Sequence, residues 1–186
     1  MSEKTNLTRC FFLVSRSQYQ TCHVKLEGDN QPLGAIHVQG QNYGFLRKVE
    51  DATQAFRLLL KLNAQNTAVT LTQSAVGYMV WTLEPNSTPT KPLPPRSSLQ
   101  TEPKPFYLFE AEREDFCQIR VPDLEQELVA ATVMGQYYSI FKVEEEADKA
   151  LEIVGRLTQQ GDEITVAMTR KGYAICVLEP EAILQA

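Results

Sequence analysis

The sequence has few of the residues that catalytic and metal sites use. It contains two histidines and four cysteines in 186 residues, and no two cysteines are spaced as Cys-x-x-Cys, so we expect free thiols rather than a zinc site. It has no Gly-rich phosphate loop, no nucleophile elbow and no carboxylate pair beside a base. We therefore predict a non-enzymatic protein with no cofactor and no metal.

A long apolar run is also missing. No stretch of 18 apolar residues occurs, so no membrane-spanning segment is expected. The first ten residues, MSEKTNLTRC, carry both charge signs and lack the apolar core of a secretory signal. With 43% apolar and 22% charged residues, the composition is that of a globular protein. We predict a cytoplasmic location.

An internal repeat is the strongest feature that the sequence does have. Residues 40–85 recur at residues 135–180 without a gap. The repeat pairs Gly40-Gln41 with Gly135-Gln136, Gly77-Tyr78 with Gly172-Tyr173, and Leu83-Glu84-Pro85 with Leu178-Glu179-Pro180; upstream it pairs Phe11 with Phe106 and Leu13 with Leu108. This pattern predicts two copies of one small domain.

Each copy is predicted to fold as ββββαββ. Aromatic and β-branched residues between turn residues indicate strands at residues 10–15, 20–26, 33–39, 43–49, 67–73 and 77–83. A helix is expected to begin near Asp51, and near Glu146 in the second copy, with one apolar stripe facing the sheet. The predicted class is α+β, a tandem duplication of a small antiparallel sheet with one helix per copy.

The predicted domain limits follow from the repeat and from proline. Residues 1–9 form a flexible N-terminus, residues 10–85 the first repeat domain, residues 86–105 a Pro-rich linker and residues 106–186 the second repeat domain. Residues 85–105 hold seven of the ten prolines, and we expect such a stretch to form an extended spacer that packs in neither strand nor helix. Its core, residues 92–96, also resembles a ligand for aromatic grooves, although a plain linker is the commoner explanation.

The two copies differ in net charge. Residues 1–85 have a net charge of +2, residues 86–105 of +2 and residues 106–186 of −9, which together give the −5 of the whole chain. This asymmetry favours different partners for the two halves, or docking between the copies. It also argues against a nucleic-acid interface along the whole surface.

Polar and aromatic residues kept in both copies are the first candidates for function. The candidate interaction residues are Gln41, Tyr43, Tyr78, Trp81, Glu84, Gln136, Tyr138, Tyr173 and Glu179. The tyrosines and Trp81 offer a stacking platform of the kind that single-stranded nucleic-acid binders use. An aromatic-rich core, with glycine and proline marking turns, explains the same residues without a ligand.

The second copy resembles a known family. Its segment GQYYSIFKV, the helix that follows it and the segment GDEITVAMTRKGYAICVLEPEA resemble the EbsA-like type IV pilus biogenesis proteins of cyanobacteria. The resemblance implies a cytoplasmic, non-enzymatic adaptor that contacts the pilus assembly ATPase and an Hfq-like protein.

Three hypotheses for function follow. The first is an adaptor or assembly factor that binds protein partners through exposed strand edges or through the sheet face that the helix leaves uncovered. The second is a pseudo-dimer that binds single-stranded nucleic acid through aromatic residues. The third is a small-molecule sensor with a pocket between the copies.

Overall fold

The computed structural model describes residues 7, 9–95, 102–124 and 126–185. Contacts divide the chain into a first unit, Cys10–Pro103, and a second unit, Lys104–Ala186 together with Met1–Arg9. Residues 1–6 and 8 of the predicted flexible N-terminus lie outside the described residues, as do residues 96–101 of the predicted linker.

The first unit is a seven-stranded sheet with one α-helix. Its elements are β1 (Arg9–Leu13), β2 (Gln20–Lys25), β3 (Leu33–Val38), β4 (Gln41–Val49), α1 (Ala52–Ala64), β5 (Val69–Ser74), β6 (Gly77–Leu83) and β7 (Thr88–Pro89). The strands lie in the order β1-β5-β6-β4-β3-β2-β7. A 3-10 turn, Arg16–Gln18, lies between β1 and β2.

The second unit has the same strand order. Its elements are β8 (Phe106–Glu110), β9 (Phe116–Arg120), β10 (Glu127–Val133), β11 (Gln136–Glu144), α2 (Ala147–Gln160), β12 (Ile164–Thr169), β13 (Gly172–Leu178) and β14 (Ile183–Leu184). The strands lie in the order β8-β12-β13-β11-β10-β9-β14. Each strand of one unit therefore has a counterpart at the same sheet position in the other.

The predicted α+β class and the mostly antiparallel pairing are confirmed. The predicted sheet was too small, because each unit adds a seventh strand after the Leu-Glu-Pro segment. One pair in each sheet is parallel, β1 with β5 and β8 with β12. A strand's residue pattern reports which face is buried but not which strand lies beside it, so the sequence does not reveal this pairing.

The gapless alignment was wrong for the first strand. Phe11 pairs with Thr70, whereas Tyr107 pairs with Thr165, the residue that corresponds to Thr70. Phe11 therefore corresponds to Tyr107 and Leu13 to Phe109, not to Phe106 and Leu108. The other strands keep the predicted spacing, so the connection between the first two strands is one residue longer in the first unit.

Part of the predicted spacer packs on the first unit. Thr88 and Pro89 form β7 and pair with Lys25 and Val24 of β2, so the expectation that this stretch forms no strand was wrong. Proline is tolerated because the strand lies at a sheet edge, where one side needs no donor. Further along, the Gln20 side chain donates to the carbonyl of Pro94 across 2.9 Å.

The two helices begin directly after the acidic residues, as the sequence predicted. Asp51 caps α1 by accepting a hydrogen bond from the Gln54 amide across 2.8 Å. Glu146 occupies the same position before α2 but makes no capping hydrogen bond with its side chain. The predicted apolar stripe is buried at all five positions of α2 and at four of five in α1, where Leu62 is half-buried. The C-cap of α2 is Gly161, whose φ of 93° favours glycine.

In each unit the α-helix packs on one face of the sheet, which we call the helix face, and we call the opposite face the helix-free face. In the first unit the Cys10 thiol contacts Asn63 of α1, so Cys10 points to the helix and its neighbour Phe11 to the opposite side. On the helix-free faces lie two buried clusters, which we call the tyrosine clusters. The first contains Phe11, Leu13, Ile36, Val38 and Tyr43, and the second contains Phe109, Ala131, Val133, Tyr138, Ala167, Ala174 and Cys176.

Candidate functional site: a cleft and a bulge in the second unit

The four shared tyrosines are core residues. Tyr43, Tyr78, Tyr138 and Tyr173 are all buried. Burial raises the pKa of Tyr43 above its ordinary value and that of Tyr138 to about 12, because the charged phenolate loses its hydration. Their rings are therefore not available as a stacking platform.

The two shared glutamines lie beside these tyrosines. Gln41 accepts a hydrogen bond from the Tyr43 hydroxyl across 3.2 Å, and Gln136 accepts one from the Tyr138 hydroxyl across 3.3 Å. Each glutamine is exposed and satisfies the one polar atom of a buried ring. This pairing explains why glutamine and tyrosine recur together, two residues apart, without a ligand.

Trp81 has a structural role in the first unit. It packs at the border of the first tyrosine cluster and meets the ring of Phe45 edge to face, with centroids 5.4 Å apart. Its indole N–H donates to the Thr72 hydroxyl across 3.0 Å. The half-buried indole group thus contacts side chains of its own unit.

The repeated Leu-Glu-Pro segment is a turn that returns the chain to the outer strand. The Glu84 carbonyl accepts from the Ser87 amide, and the Glu179 carbonyl accepts from the Ala182 amide, each across 3.2 Å. The chain then pairs with β2 as β7, or with β9 as β14. Proline after the glutamate ends the preceding strand, as predicted.

The side chains of the two glutamates have different surroundings. Glu179 accepts a hydrogen bond from the Ser139 hydroxyl across 2.6 Å. The residue corresponding to Ser139 is Gly44, where an added Cβ would lie 2.5 Å from Leu33 Cδ2 and 3.0 Å from Glu84 Cγ. The first unit therefore fills this space with Leu33, and the second unit places a hydroxyl there.

A cleft of about 630 Å³ opens beside Glu179 on the helix face of the second unit. Its polar lining comes from the end of α2 and from the neighbouring strands: Ser139, Arg156, Gln160, Asp162 and Glu179. Leu157 and Val177 supply apolar surface, and Phe141 stands at the rim. The cleft is open to solvent, and polar and apolar atoms line it about equally.

A β-bulge aims Phe141 outward. The pairing of β11 with β13 shifts between Ile140 and Lys142, and Phe141 is 51% exposed. The pairing of β4 with β6 shifts at the corresponding point, between Phe45 and Arg47, and Leu46 is 43% exposed. Both units thus present a large apolar side chain at one bulged position.

Leu46 and Phe141 were missed by the sequence reasoning. The available signal was a large apolar residue at corresponding positions of the two matching segments, each followed by arginine or lysine. A bulge that redirects a side chain is a recurrent feature beside functional sites.

At the centre of each helix-free face the tyrosine cluster is buried. The outer edges are also partly covered, by β7 and β14.

Comparison with protein-family models, with curated proteins and with solved structures found no match for the chain. Neither helix in the described residues is long and apolar enough to cross a membrane. Within the same residues, no three His, Cys, Asp or Glu side chains are grouped as metal ligands would be, and none of the four cysteines forms a disulfide.

Proposed function

We propose that the chain is a non-enzymatic, cytoplasmic adaptor or assembly factor that binds protein partners through its two bulges. The observation that supports this is the exposure of Leu46 and Phe141 at corresponding positions. An exposed large apolar side chain adds nothing to the core of its own unit, but it is the kind of residue that anchors a protein interface.

Charge around the bulges favours different contacts for the two units. Leu46 is followed by the exposed Arg47 and Lys48. Phe141 is followed by Lys142, which forms an ion pair with Glu144, and by the exposed Val143. The first bulge is therefore basic, whereas the second is apolar and lies in the half of the chain with a charge of −9. Such a difference separates partners by electrostatic complementarity.

We also infer that the two units arose by tandem duplication. The shared strand order and the matching bulges support this, as do the shared Leu-Glu-Pro turns. Two copies that keep the fold and the anchor position but differ in charge suit a protein that brings two different partners together.

Type IV pilus biogenesis is the process that we propose for this adaptor. The sequence resemblance supports it, and it names the partners to test, the pilus assembly ATPase and an Hfq-like protein. We assign one partner to each bulge, since a single partner would not require two surfaces of different charge.

The test is direct binding of the purified full-length chain to a purified pilus assembly ATPase and to a purified Hfq-like protein, by biolayer interferometry. Leu46→Ser and Phe141→Ser should each weaken binding of one partner about tenfold or more, as truncation of an interface anchor does. The two side chains are exposed, so thermal unfolding should change little.

Matched controls come from exposed apolar residues away from the bulges. Val76→Ser in the first unit and Met134→Gln in the second remove side chains that are 66% and 53% exposed, and binding should not change. Met134→Gln introduces the residue found at the corresponding position, Gln39. Failure of both partners to bind the unmodified chain would overturn the pilus assignment, and equal loss in bulge and control variants would overturn the bulge surfaces.

The nucleic-acid alternative loses its supporting observation, because the tyrosines that were to stack on bases are buried. A salt titration with single-stranded RNA is the check, since backbone contacts weaken steeply with salt. Saturable, salt-sensitive binding would restore this alternative.

A further inference from the structure

The cleft of the second unit contains two carboxylates, Glu179 and Asp162, and one basic side chain, Arg156. Glu179 and Asp162 are both partly buried, and no ion pair joins either of them to a basic side chain in the part of the chain that the structure describes. The Ser139 hydroxyl donates a hydrogen bond to one carboxylate oxygen of Glu179. The other carboxylate oxygen can accept a hydrogen bond from a ligand. A partly buried carboxylate gains from a cationic partner, so the cleft is suited to a positively charged group.

The first unit does not repeat this arrangement. Thr67 stands where the second unit has Asp162, and Gly44 stands where it has Ser139. Leu33 fills the space above Gly44, so the first unit keeps one of the two carboxylates, Glu84, and lacks the serine hydroxyl. The pair of carboxylates is therefore a specific property of the acidic unit.

We propose that this cleft receives a basic side chain of a protein partner, an arginine, so that the bulge and the cleft form one recognition surface. A guanidinium group offers a planar fork of donors that matches carboxylate oxygens. Its aliphatic stem suits the apolar surface of Leu157 and Val177, and the ring of Phe141 at the rim can lie against its face.

Two hydrogen-bond donors at the cleft favour an arginine within a peptide over a free amine. Arg156 and Gln160 lie one turn apart on α2 and are exposed, and both are hydrogen-bond donors. In the proposed complex they donate to the backbone carbonyls that flank an arginine residue, which a free amine lacks. The inference rests on the proposed adaptor function and adds the chemistry of the partner.

The test is an amide NMR titration of the full-length chain with acetyl-Gly-Arg-Gly-amide. The matched ligand is the same peptide with citrulline, which keeps the shape and removes the charge. We expect saturable shifts at the amides of Ser139, Gln160 and Asp162 with arginine, and at least tenfold weaker binding with citrulline. Equal binding of the two peptides, or no binding of either, would overturn the inference.

Three variants locate the site. Glu179→Gln and Asp162→Asn should each weaken the arginine peptide at least fivefold, whereas Glu84→Gln in the first unit should leave it unchanged. If Glu179→Gln fails to fold, Asp162→Asn and the citrulline comparison still decide. A loss with Glu84→Gln equal to the loss with Glu179→Gln would contradict this placement.

Two further outcomes separate this inference from its alternatives. If agmatine binds at least tenfold more tightly than the peptide, the cleft is a site for a free cation, and the inference that a protein partner supplies the arginine is overturned. A chain that binds the ATPase or the Hfq-like protein, but shows no arginine-dependent shift, would overturn the cleft inference and leave the adaptor function standing.

Discussion

Ser139 and Glu179 are forty positions apart in the sequence and share a hydrogen bond of 2.6 Å. The bond joins the middle of β11 to the turn that follows β13. It fixes the carboxylate at the inner wall of the cleft, so it links the fold of the second unit to its recognition surface.

The first prediction concerns this pair. Ser139→Ala should lower the free energy of unfolding by about 1 kcal/mol, because a partly buried carboxylate loses its donor. A double-mutant cycle with Glu179→Ala, measured by urea denaturation, should show favourable coupling between the two residues. Glu84→Ala should cost less than Glu179→Ala, since Gly44 offers no side-chain donor. Additive effects of the two substitutions in the second unit would contradict this account.

The second prediction concerns the glycine of the repeated Gly-Tyr pair. Gly77 and Gly172 have φ values of 115° and 125°, and an added Cβ would overlap the carbonyl oxygen of Val49 or Glu144. Gly77→Ala and Gly172→Ala should each lower the free energy of unfolding by about 2 to 4 kcal/mol, from left-handed strain and from the clash.

Another repeated glycine provides the control. Gly40 also has a positive φ, 80°, but an added Cβ would meet no atom within 4 Å. Gly40→Ala should therefore cost only about 1 kcal/mol, from backbone strain alone. Equal costs for Gly40→Ala and Gly77→Ala in thermal unfolding would show that the clash is not what requires glycine.

The third prediction compares the two helix caps. Asp51→Ala should lower the free energy of unfolding by about 1 kcal/mol, because the Gln54 amide loses its acceptor. Glu146→Ala should change it by less than about 0.5 kcal/mol, since Glu146 makes no side-chain cap. Chemical denaturation of both variants checks the difference. A larger effect at Glu146 than at Asp51 would be inconsistent with the capping geometry.

The fourth prediction concerns alkaline pH. Burial raises the pKa of the Cys10 and Cys176 thiols from 9.0 to about 12. Between these values the folded state holds more protons than the unfolded state, so stability is complete below pH 9.0 and falls as pH rises toward about 12. Each thiol should contribute a slope of up to about 1.4 kcal/mol per pH unit.

The measurement is the slope of unfolding free energy against pH, not its absolute value. Cys10→Ala and Cys176→Ala should both flatten the slope, although each also opens a small cavity. Val166→Ala removes buried apolar volume without a titratable group, so it should lower stability and leave the slope unchanged. A slope that is the same in all three variants would rule out the thiols as its source.

Local features of the fold could be predicted from the sequence because they depend on neighbouring residues. The order of strands and helices, the start of α1 after Asp51 and the turns at Gly40 and Gly77 follow from turn chemistry and from periodicity. The buried tyrosines were also accounted for by the core explanation of the shared residues.

Features that depend on distant residues could not be predicted in this way. The parallel pairing of β1 with β5 depends on strand order, and the one-residue difference before β2 becomes visible only when Thr70 and Thr165 reveal the register. The cleft likewise depends on Ser139, Arg156 and Glu179 lining one cavity, and no local pattern contains all three.

The turn after Leu-Glu-Pro has a consequence for self-association. It lays β7 along β2 and β14 along β9, and the amide of Gln185 adds a further bond to the Gln118 carbonyl across 3.1 Å. β7 covers Val24 and Lys25 of β2, and β14 covers Ile119 and Arg120 of β9. Because unpaired edge amides and carbonyls are a template for pairing with another chain, these short return strands shorten the edge on which a second copy could add a strand.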